Sequence, residues 1–551
     1  MPRRAGLSRM RQNSIATFAL SSVIFGLIIR AIPEIWAGTH LTGFDTVLYA
    51  GELSRLKFCS PFLLPPGEFT LGLITCPLAT IGGPILAMKV SIIFLYTLLA
   101  SSIFFFSGAE LRQPPGVAFF ITVFVLLQVA ALRLSWDLYR NLLGLSLLLI
   151  TLTCLNVLSG RVKYIAVTIL LVTIALTHQT VAGLLLLLLL STFAWDTVNR
   201  RVGALAGLVL VLASILLTTV SVFFVFPTTL SAVTTAWHFA AGQIILTPLM
   251  LFLAALYLPA VFPALLGIRR SRFLAGWTSI IIAILLLIGV GIPLGANVYD
   301  RWSLMLFVPI GVFGALGLLS FMRFFVTSLN AHTSIARSHV KLIKGSVLLA
   351  LLIPYGVLAW GFMTPAISRP YWYFDDPALW NAGASGLPST MQQNTIAFSD
   401  EQYVISAFRW LNVAMNDGDV LLTHSAFYGW ALMYLRSDLT IINYGTNLTQ
   451  GMTQAESMGF SGEFVVWFVP GYGWHEPDPN FTGWRLVFQA GPIVIYDKYQ
   501  SSHGLSTYEI SRSATHSCIV SKDPIRNVRF LVAIIMPLQF VKVMTDHPTR
   551  A

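Results

Sequence analysis

The chain has 551 residues, of which 56% are hydrophobic and only 10% are charged. A soluble globular protein carries about 25% charged residues, so this composition excludes a soluble chain and predicts an integral membrane protein. The formal net charge is +11. Because Lys and Arg gather in short loops between apolar runs, the basic balance indicates membrane topology signals and not a nucleic-acid partner.

Apolar runs of the length that spans a bilayer, about 20 residues, recur along the first two thirds of the chain. We predict about eleven spans, at 14–32, 84–106, 117–133, 140–158, 163–177, 180–195, 202–226, 243–267, 273–293, 302–321 and 343–363. The basic clusters near Arg161, Arg200 and Arg269 then share one side with the N-terminus. The positive-inside rule assigns that side to the cytoplasm.

A long outer segment, 33–85, follows the first span. Its apolar stretch Phe69–Ile81 is too short to span, and Gly82-Gly83-Pro84 interrupts it, so we predict a helix lying beside the membrane. Counting this stretch as a span would move every basic cluster to the outside. The segment also holds Cys59 and Cys76, for which we expect two free thiols and not a disulfide.

The composition changes after residue 364, which divides the chain into a membrane domain (1–364), an outer domain (365–510) and a tail (511–551). In the outer domain, helical patterns at 401–415 and 426–435 alternate with strand patterns at 420–424, 439–443, 464–469 and 493–496. This alternation predicts an extracytoplasmic α/β domain with a largely parallel sheet. We expect the tail to be interfacial or disordered.

The first candidate site lies in Thr42–Glu52, directly after the first span. Asp45, Tyr49 and Glu52 are spaced four and three apart, so a helix would present them on one face. A carboxylate at this depth can act as a base for a hydroxyl or hold a metal beside a phosphate. The alternative is that Asp45 is the N-cap of a short helix.

A second carboxylate, Asp137, lies between Arg133 and Arg140 at the predicted outer end of two spans. It could face the first carboxylate across a cavity and bind a metal or an acceptor. The alternative is a local ion pair that seals a tight hairpin, with Trp136 and Tyr139 as anchors at the membrane interface.

Three further ionisable residues fall at predicted outer span ends: His178, Asp300 and Arg301. Charge so close to hydrocarbon is costly and points to function. Arg301, and with it Arg140 and His178, could bind a phosphate group. The alternatives are an ordinary hydrogen-bonded histidine, and an Arg301 that snorkels or pairs with Asp300.

The chain resembles the GT-C superfamily of polytopic glycosyltransferases. The likeness rests on Gly43–Tyr49 in the long first outer loop, on Pro65-Pro66-Gly67, and on the stretch Ser135–Asn141. It implies a polytopic α-helical fold of about eleven transmembrane helices with a C-terminal extracytoplasmic α/β domain. It also implies a polyprenyl- or dolichyl-phosphate sugar donor, inverting transfer outside the cell membrane, and Asp45 as base or as ligand of a divalent cation, Mg²⁺ or Mn²⁺.

Two departures from that family narrow the acceptor. The outer domain lacks the Trp-Trp-Asp motif of oligosaccharyltransferases, and Thr46 stands where protein O-mannosyltransferases have a second acid. These departures speak against en bloc glycan transfer to asparagine and against protein O-mannosylation, and they leave the acceptor open among other glycans, lipids and proteins. The alternative function is non-enzymatic: a transporter of a lipid-linked substrate, or an assembly scaffold.

Overall fold

The computed structural model describes residues 2–56, 59–64, 68–198, 246–267, 271–290, 299–332, 337–364, 394–445, 447–460, 462–472 and 478–499. The membrane part contains helices α1 (Pro2–Trp36), α2 (Thr46–Arg55), α3 (Phe69–Ala109), α4 (Pro115–Leu126), α5 (Val129–Asp137), α6 (Tyr139–Val157), α7 (Gly160–Thr177), α8 (Gln179–Val198), α9 (Leu246–Gly267), α10 (Arg272–Gly289), α11 (Tyr299–Leu304), α12 (Phe307–His332) and α13 (Arg337–Met363).

Within the described residues, six helical stretches are long and apolar enough to cross a membrane: Asn13–Trp36, Phe69–Ala109, Tyr139–Val157, Gly160–Thr177, Tyr299–Ser328 and Leu342–Met363. The bent pair α4–α5 would be a seventh, and α8, α9 and α10 contain shorter apolar helices. The predicted span at 202–226 lies outside the described residues. The chain is thus a multi-helix membrane protein, while the count of about eleven spans stays a prediction.

The predicted span at 117–133 is broken, because α4 and α5 meet at an angle of 66°. Backbone groups freed by such a break must find partners inside the protein. The Tyr96 hydroxyl donates to the carbonyl of Leu126 at 2.5 Å, and the Gln128 amide donates to the carbonyl of Phe124 at 3.0 Å. The break turns α5 away from the axis of α4.

Helix α3 also consists of two parts, which confirms the interruption predicted at Gly82-Gly83-Pro84. Gly83 has a φ of +78° and a ψ of +171°, a backbone conformation that favours glycine. The first part is tied to the preceding segment by a disulfide between Cys59 and Cys76, whose Cα atoms are 5.2 Å apart. The expectation of two free thiols was wrong, because the fold back into α3 brings together two cysteines that are 17 residues apart.

The described part of the outer domain contains helices α14 (Glu401–Ala414), α15 (Ser425–Tyr434) and α16 (Leu448–Ser457), and strands β1 (Asp419–His424), β2 (Thr440–Gly445), β3 (Gly462–Phe468), β4 (Arg485–Ala490) and β5 (Ile493–Tyr499). Strand β1 is buried along its whole length, and so is β3. This explains why both read as continuous apolar runs, as central strands of α/β sheets do.

The strand order is β2-β1-β3-β5-β4. Strands β1, β2 and β3 are parallel, whereas β5 pairs antiparallel with β3 and β4. The sequence predicted a largely parallel sheet. The observed sheet is mixed, with two parallel and two antiparallel strand pairs. Strand β4 has mostly exposed or half-buried side chains, so it lacks the apolar signal that reveals a central strand. Helix α16 was not predicted either, because few of its residues are apolar and buried. The tail 511–551, expected to be interfacial or disordered, lies outside the described residues.

Removing the disulfide should lower stability. In the chain-entropy account, closing a loop of about 15 residues contributes about 3 kcal/mol by restricting the unfolded chain. The double variant Cys59→Ser/Cys76→Ser should therefore melt several degrees lower than the wild type in detergent. Cys154→Ser serves as the control, since that cysteine is free. An unchanged melting temperature of the double variant would contradict the prediction.

Candidate functional site

Asp45 directly precedes α2, and its side chain makes no capping hydrogen bond to that helix. Asp45 thus occupies the N-cap position, as the alternative interpretation held, but its side chain does not cap the helix. Instead, its carboxylate oxygen Oδ2 lies 3.9 Å from Nη2 of Arg301, with 25% and 35% of the two side chains exposed. Residues more than 250 positions apart thus form a partly open pair of opposite charges.

Gly43 explains how Asp45 comes so close to α5. Its φ is +111°, and a Cβ atom there would collide with the carbonyl oxygen of Trp136 and lie 2.8 Å from the Cβ of Asp137. Only glycine lets the two backbones approach so closely. The Gly43 amide also donates to Oδ1 of Asn394 at 2.8 Å, a residue of the outer domain.

Asp137 is almost fully buried and forms the predicted local ion pair. Both of its oxygens bind the guanidinium of Arg133, which is equally buried, and the Nη2–Oδ2 distance is 3.2 Å. Oδ2 also accepts a hydrogen bond from the backbone amide of Phe44 at 3.1 Å. Asp137 therefore holds the backbone next to Asp45, and its own oxygens are engaged.

The alternative interpretation of the sequence made Trp136 and Tyr139 anchors at the membrane interface, where their side chains would be exposed. Both are buried. The Trp136 ring packs against Phe362. The guanidinium carbon of Arg30 lies over the same ring, 5.3 Å from the ring centroid. The tight hairpin is thus inside the protein, because the break between α4 and α5 folds it inward.

A buried polar network that the sequence did not predict joins α1 to Thr42, Lys89 and Ser135. Arg30 is fully buried, pairs with Glu34 at 2.7 Å and donates to the carbonyl of Ser135 at 3.1 Å. Lys89 pairs with the other Glu34 oxygen at 2.9 Å, and Thr42 donates to Glu34 at 2.6 Å. Arg30 and Glu34 are four residues apart on α1, and that spacing was the only available signal.

Tyr49 and Glu52 extend the site along α2. Glu52 shares a hydrogen bond with Glu68, and Oε1 of Glu68 lies 4.0 Å from Nη1 of Arg140. Tyr49 is buried, with its ring 5.8 Å from that of Tyr139. Tyr49 and Glu68 also border a small cavity whose other walls are Leu53, Leu64, Leu71, Gly72, Thr75 and Met88. Glu68 was not predicted, since nothing in its local sequence distinguishes it.

His178 and Arg140 lie beside the same cluster. The Arg140 guanidinium donates to the carbonyl of Thr177 at 3.1 Å. His178 is buried, its Nδ1 has no hydrogen-bond partner among the described residues, and it lies within electrostatic range of Arg140 and Arg301. Asp300, also buried, lies in range of Arg301. All eight predicted residues thus belong to one neighbourhood, which we call the outer cluster: Asp45, Tyr49, Glu52, Asp137, Arg140, His178, Asp300 and Arg301.

Burial and neighbouring charges shift the pKa values of the two carboxyl groups on and beside α2. Burial raises the pKa of Asp45 to about 6, with a further contribution from the Asp137 carboxylate, whereas Arg301 opposes the shift. Burial and the hydrogen bond with Glu68 raise the pKa of Glu52 to about 9. At neutral pH, Asp45 is therefore mostly ionised and Glu52 keeps its proton.

The donor set does not fit a cation held by the protein alone. Among the described residues, no three His, Cys, Asp or Glu side chains form a group that could hold a metal. Asp45 faces a guanidinium, and the Asp137 oxygens are engaged by Arg133 and a backbone amide. The predicted Mg²⁺ or Mn²⁺ therefore enters none of the steps below.

Comparisons with known proteins find distant likenesses among solved structures only. No protein-family model matches the sequence, and no curated protein matches it. The solved structure of the Archaeoglobus fulgidus oligosaccharyltransferase, in complex with Zn and sulfate, is similar over 81% of this chain and 67% of that chain, with 11% identity and a TM-score of 0.42. A likeness at this level does not establish a family, so the proposals below rest on the geometry of the outer cluster.

Gly43→Ala should destabilise the contact between the first outer segment and α5. A side chain at a φ of +111° costs about 1–3 kcal/mol in backbone strain, and the collision with Trp136 adds to this cost. The matched control is Gly38→Ala, where φ is +58° but no atom lies within 4 Å of the added methyl group. Thermal melting in detergent should show a larger drop for Gly43→Ala; equal drops would contradict the steric account.

Proposed function

We propose that this chain is a membrane glycosyltransferase. It transfers a sugar from a polyprenyl- or dolichyl-phosphate donor to an extracytoplasmic acceptor, a glycan, lipid or protein, with inversion at the anomeric carbon. In this proposal it is a multi-pass protein of the cell membrane, with the N-terminus in the cytoplasm and the α/β domain outside. The observation that carries the proposal is the partly open Asp45 carboxylate beside Arg301, in a neighbourhood that also holds Arg140 and His178.

The outer cluster combines the two kinds of group that such a transfer needs. Inverting transfer requires a base for the acceptor hydroxyl and positive charge for the phosphate that leaves. Asp45 has a raised pKa of about 6, close to the range in which a general base works well. Arg301 and Arg140 present planar guanidinium groups, which bind phosphate oxygens in a two-pronged geometry.

The proposed step is a single displacement. The acceptor oxygen attacks the anomeric carbon, and the bond between that carbon and the donor phosphate oxygen breaks with its electron pair leaving on the phosphate. Asp45 takes the proton of the acceptor hydroxyl. Arg301, Arg140 and Nδ1 of His178, which has no hydrogen-bond partner in the described part of the chain, stabilise the negative charge on the leaving lipid phosphate.

The remaining residues of the cluster support this step. Asp137 acts through Asp45: it holds the Phe44 amide and its charge contributes to the raised pKa of Asp45. We therefore assign Asp137 a positioning role and not direct contact with substrate. Tyr49 and the protonated Glu52 can hydrogen-bond substrate hydroxyls, and Asp300 orients the adjacent Arg301.

Asp45→Asn should abolish sugar transfer. The amide is isosteric but cannot accept the proton, so kcat should fall by at least about 100-fold, the usual contribution of a general base. Donor KM should change little because the guanidinium groups remain. The measurement is transfer of labelled sugar from a polyprenyl-phosphate donor in membranes that contain the full chain.

The matched control for that variant is Asp417→Asn, an exposed aspartate in a turn of the outer domain, which should keep full activity. Full activity of Asp45→Asn would overturn the assignment. Absence of any transfer by the wild type, across polyprenyl- and dolichyl-phosphate donors, would instead favour the non-enzymatic transporter or scaffold.

The pH dependence should report Asp45. A base must be deprotonated, so kcat/KM should rise as the pH increases through about 6 and level off above it. Arg301→Gln removes a cation that lowers the pKa of Asp45, so the inflection should move to higher pH. The same variant should raise donor KM about tenfold, because it loses a charge-assisted hydrogen bond to phosphate. An unmoved inflection would show that Arg301 and Asp45 do not interact in solution.

A further inference from the structure

Arg55, the last residue of α2, reaches from the site helix to the outer domain. Its guanidinium donates to the carbonyls of Ala431 at 3.3 Å, Leu432 at 2.9 Å and Arg436 at 3.1 Å. Ala431 and Leu432 lie in the last turn of α15, which carries partial negative charge, and Arg436 follows two residues after the end of that helix. A guanidinium, with several donors in a fixed plane, suits all three. Ser54 adds a hydrogen bond to Leu432 at 3.1 Å.

A contact between two glycines brings α2 and α15 unusually close. A Cβ atom on Gly51 would lie 2.6 Å from the carbonyl oxygen of Gly429, and one on Gly429 would lie 2.6 Å from the backbone nitrogen of Leu48. Backbones can approach this closely only where side chains are absent. Gly51 lies between Tyr49 and Glu52, so the contact is made at the level of the outer cluster.

Further ties connect the same two parts of the chain on either side of that contact. His40 and Glu401 form a 2.6 Å pair, and the His40 ring stacks on Phe398. Tyr428 of α15 lies within electrostatic range of both Glu52 and Arg55. The outer domain therefore contacts the segment that leads into α2, the middle of α2 and its last residue.

We infer that the outer domain positions α2 for catalysis. Arg55 is the positioning residue: it holds α2 so that Asp45 stays partly buried beside Arg301. The inference rests on the proposed function for its kinetic meaning. Its physical basis is the set of contacts above. Arg55 lies at the opposite end of α2 from Asp45, about 15 Å away along the helix axis, so its effect on the reacting atoms at Asp45 passes through the helix.

The test compares Arg55→Met and Arg55→Lys with the wild type, using the full chain in lipid nanodiscs. Methionine keeps the apolar stem but removes every donor, and lysine keeps the charge but cannot reach three carbonyls at once. Arg55→Met should lower kcat at least tenfold while donor KM stays within about threefold. Arg55→Lys should fall between Arg55→Met and the wild type.

The pH profile separates positioning from a loss of folded protein. A looser α2 admits water to Asp45, so the acid inflection of kcat/KM should move from about 6 toward the ordinary range of an aspartate. A smaller amount of folded enzyme would scale the rate and leave the inflection in place. Hydrogen exchange of the backbone amides in 46–55 should also become faster in Arg55→Met. If that variant does not accumulate, Arg55→Lys is expected to show the same two shifts at smaller size.

The matched control is Arg409→Met, an exposed arginine on α14 of the same domain, which should behave as the wild type. Unchanged kcat, inflection and exchange in Arg55→Met would overturn the inference while leaving Asp45 as the base. Should the wild type transfer no sugar at all, the proposed function would fail first. Exchange in 46–55 would then decide by itself: faster exchange supports positioning by the outer domain, and unchanged exchange overturns it.

Discussion

The buried pair of Arg133 and Asp137, together with the Phe44 amide bound to it, is the contact on which the arrangement of the site depends. Neither charge is exposed, so breaking the pair would leave an uncompensated charge in a dry interior, at a cost of about 3–5 kcal/mol. Because Asp137 also accepts from Phe44, the same interaction fixes the backbone that precedes Asp45. The glycine at position 43 makes that approach possible.

Around this pair, the polar groups separate into a structural set and an accessible set. In the structural set, Glu34 binds Arg30, Lys89 and Thr42, and these contacts join α1 to α3 and α5. Asp45 and Arg301 instead keep part of their surface exposed and lie 3.9 Å apart, a distance that leaves both able to contact another molecule. This separation explains why two aspartates that look equivalent in the sequence, Asp45 and Asp137, receive different roles in our proposal.

The outer domain contacts α2 and the segment before it, on the side of α2 opposite the membrane helices. Its helix α15 meets α2 through two glycines, and Asn394 and Glu401 hold the segment that leads into α2. The helix that carries Asp45, Tyr49 and Glu52 therefore lies between the membrane helices and the α/β domain. An arrangement of this kind keeps a short helix of ten residues in place, which would be marginal in isolation.

Hydropathy and charge placement were sufficient to recognise a multi-helix membrane protein, the break in α3 at Gly82-Gly83-Pro84, and a C-terminal domain of helices and strands. They also singled out the ionisable residues of the outer cluster, because charge near hydrocarbon is rare enough to be informative by itself. These are properties of local composition and period. The contacts between residues distant in the chain were not readable from the sequence. They include the disulfide, the packing of Trp136, the network of Arg30, and the hydrogen bonds of Glu68 and Arg55. Such contacts depend on how helices break and pack, and only the tertiary structure decided which acid was sealed in an ion pair and which was left facing an open guanidinium.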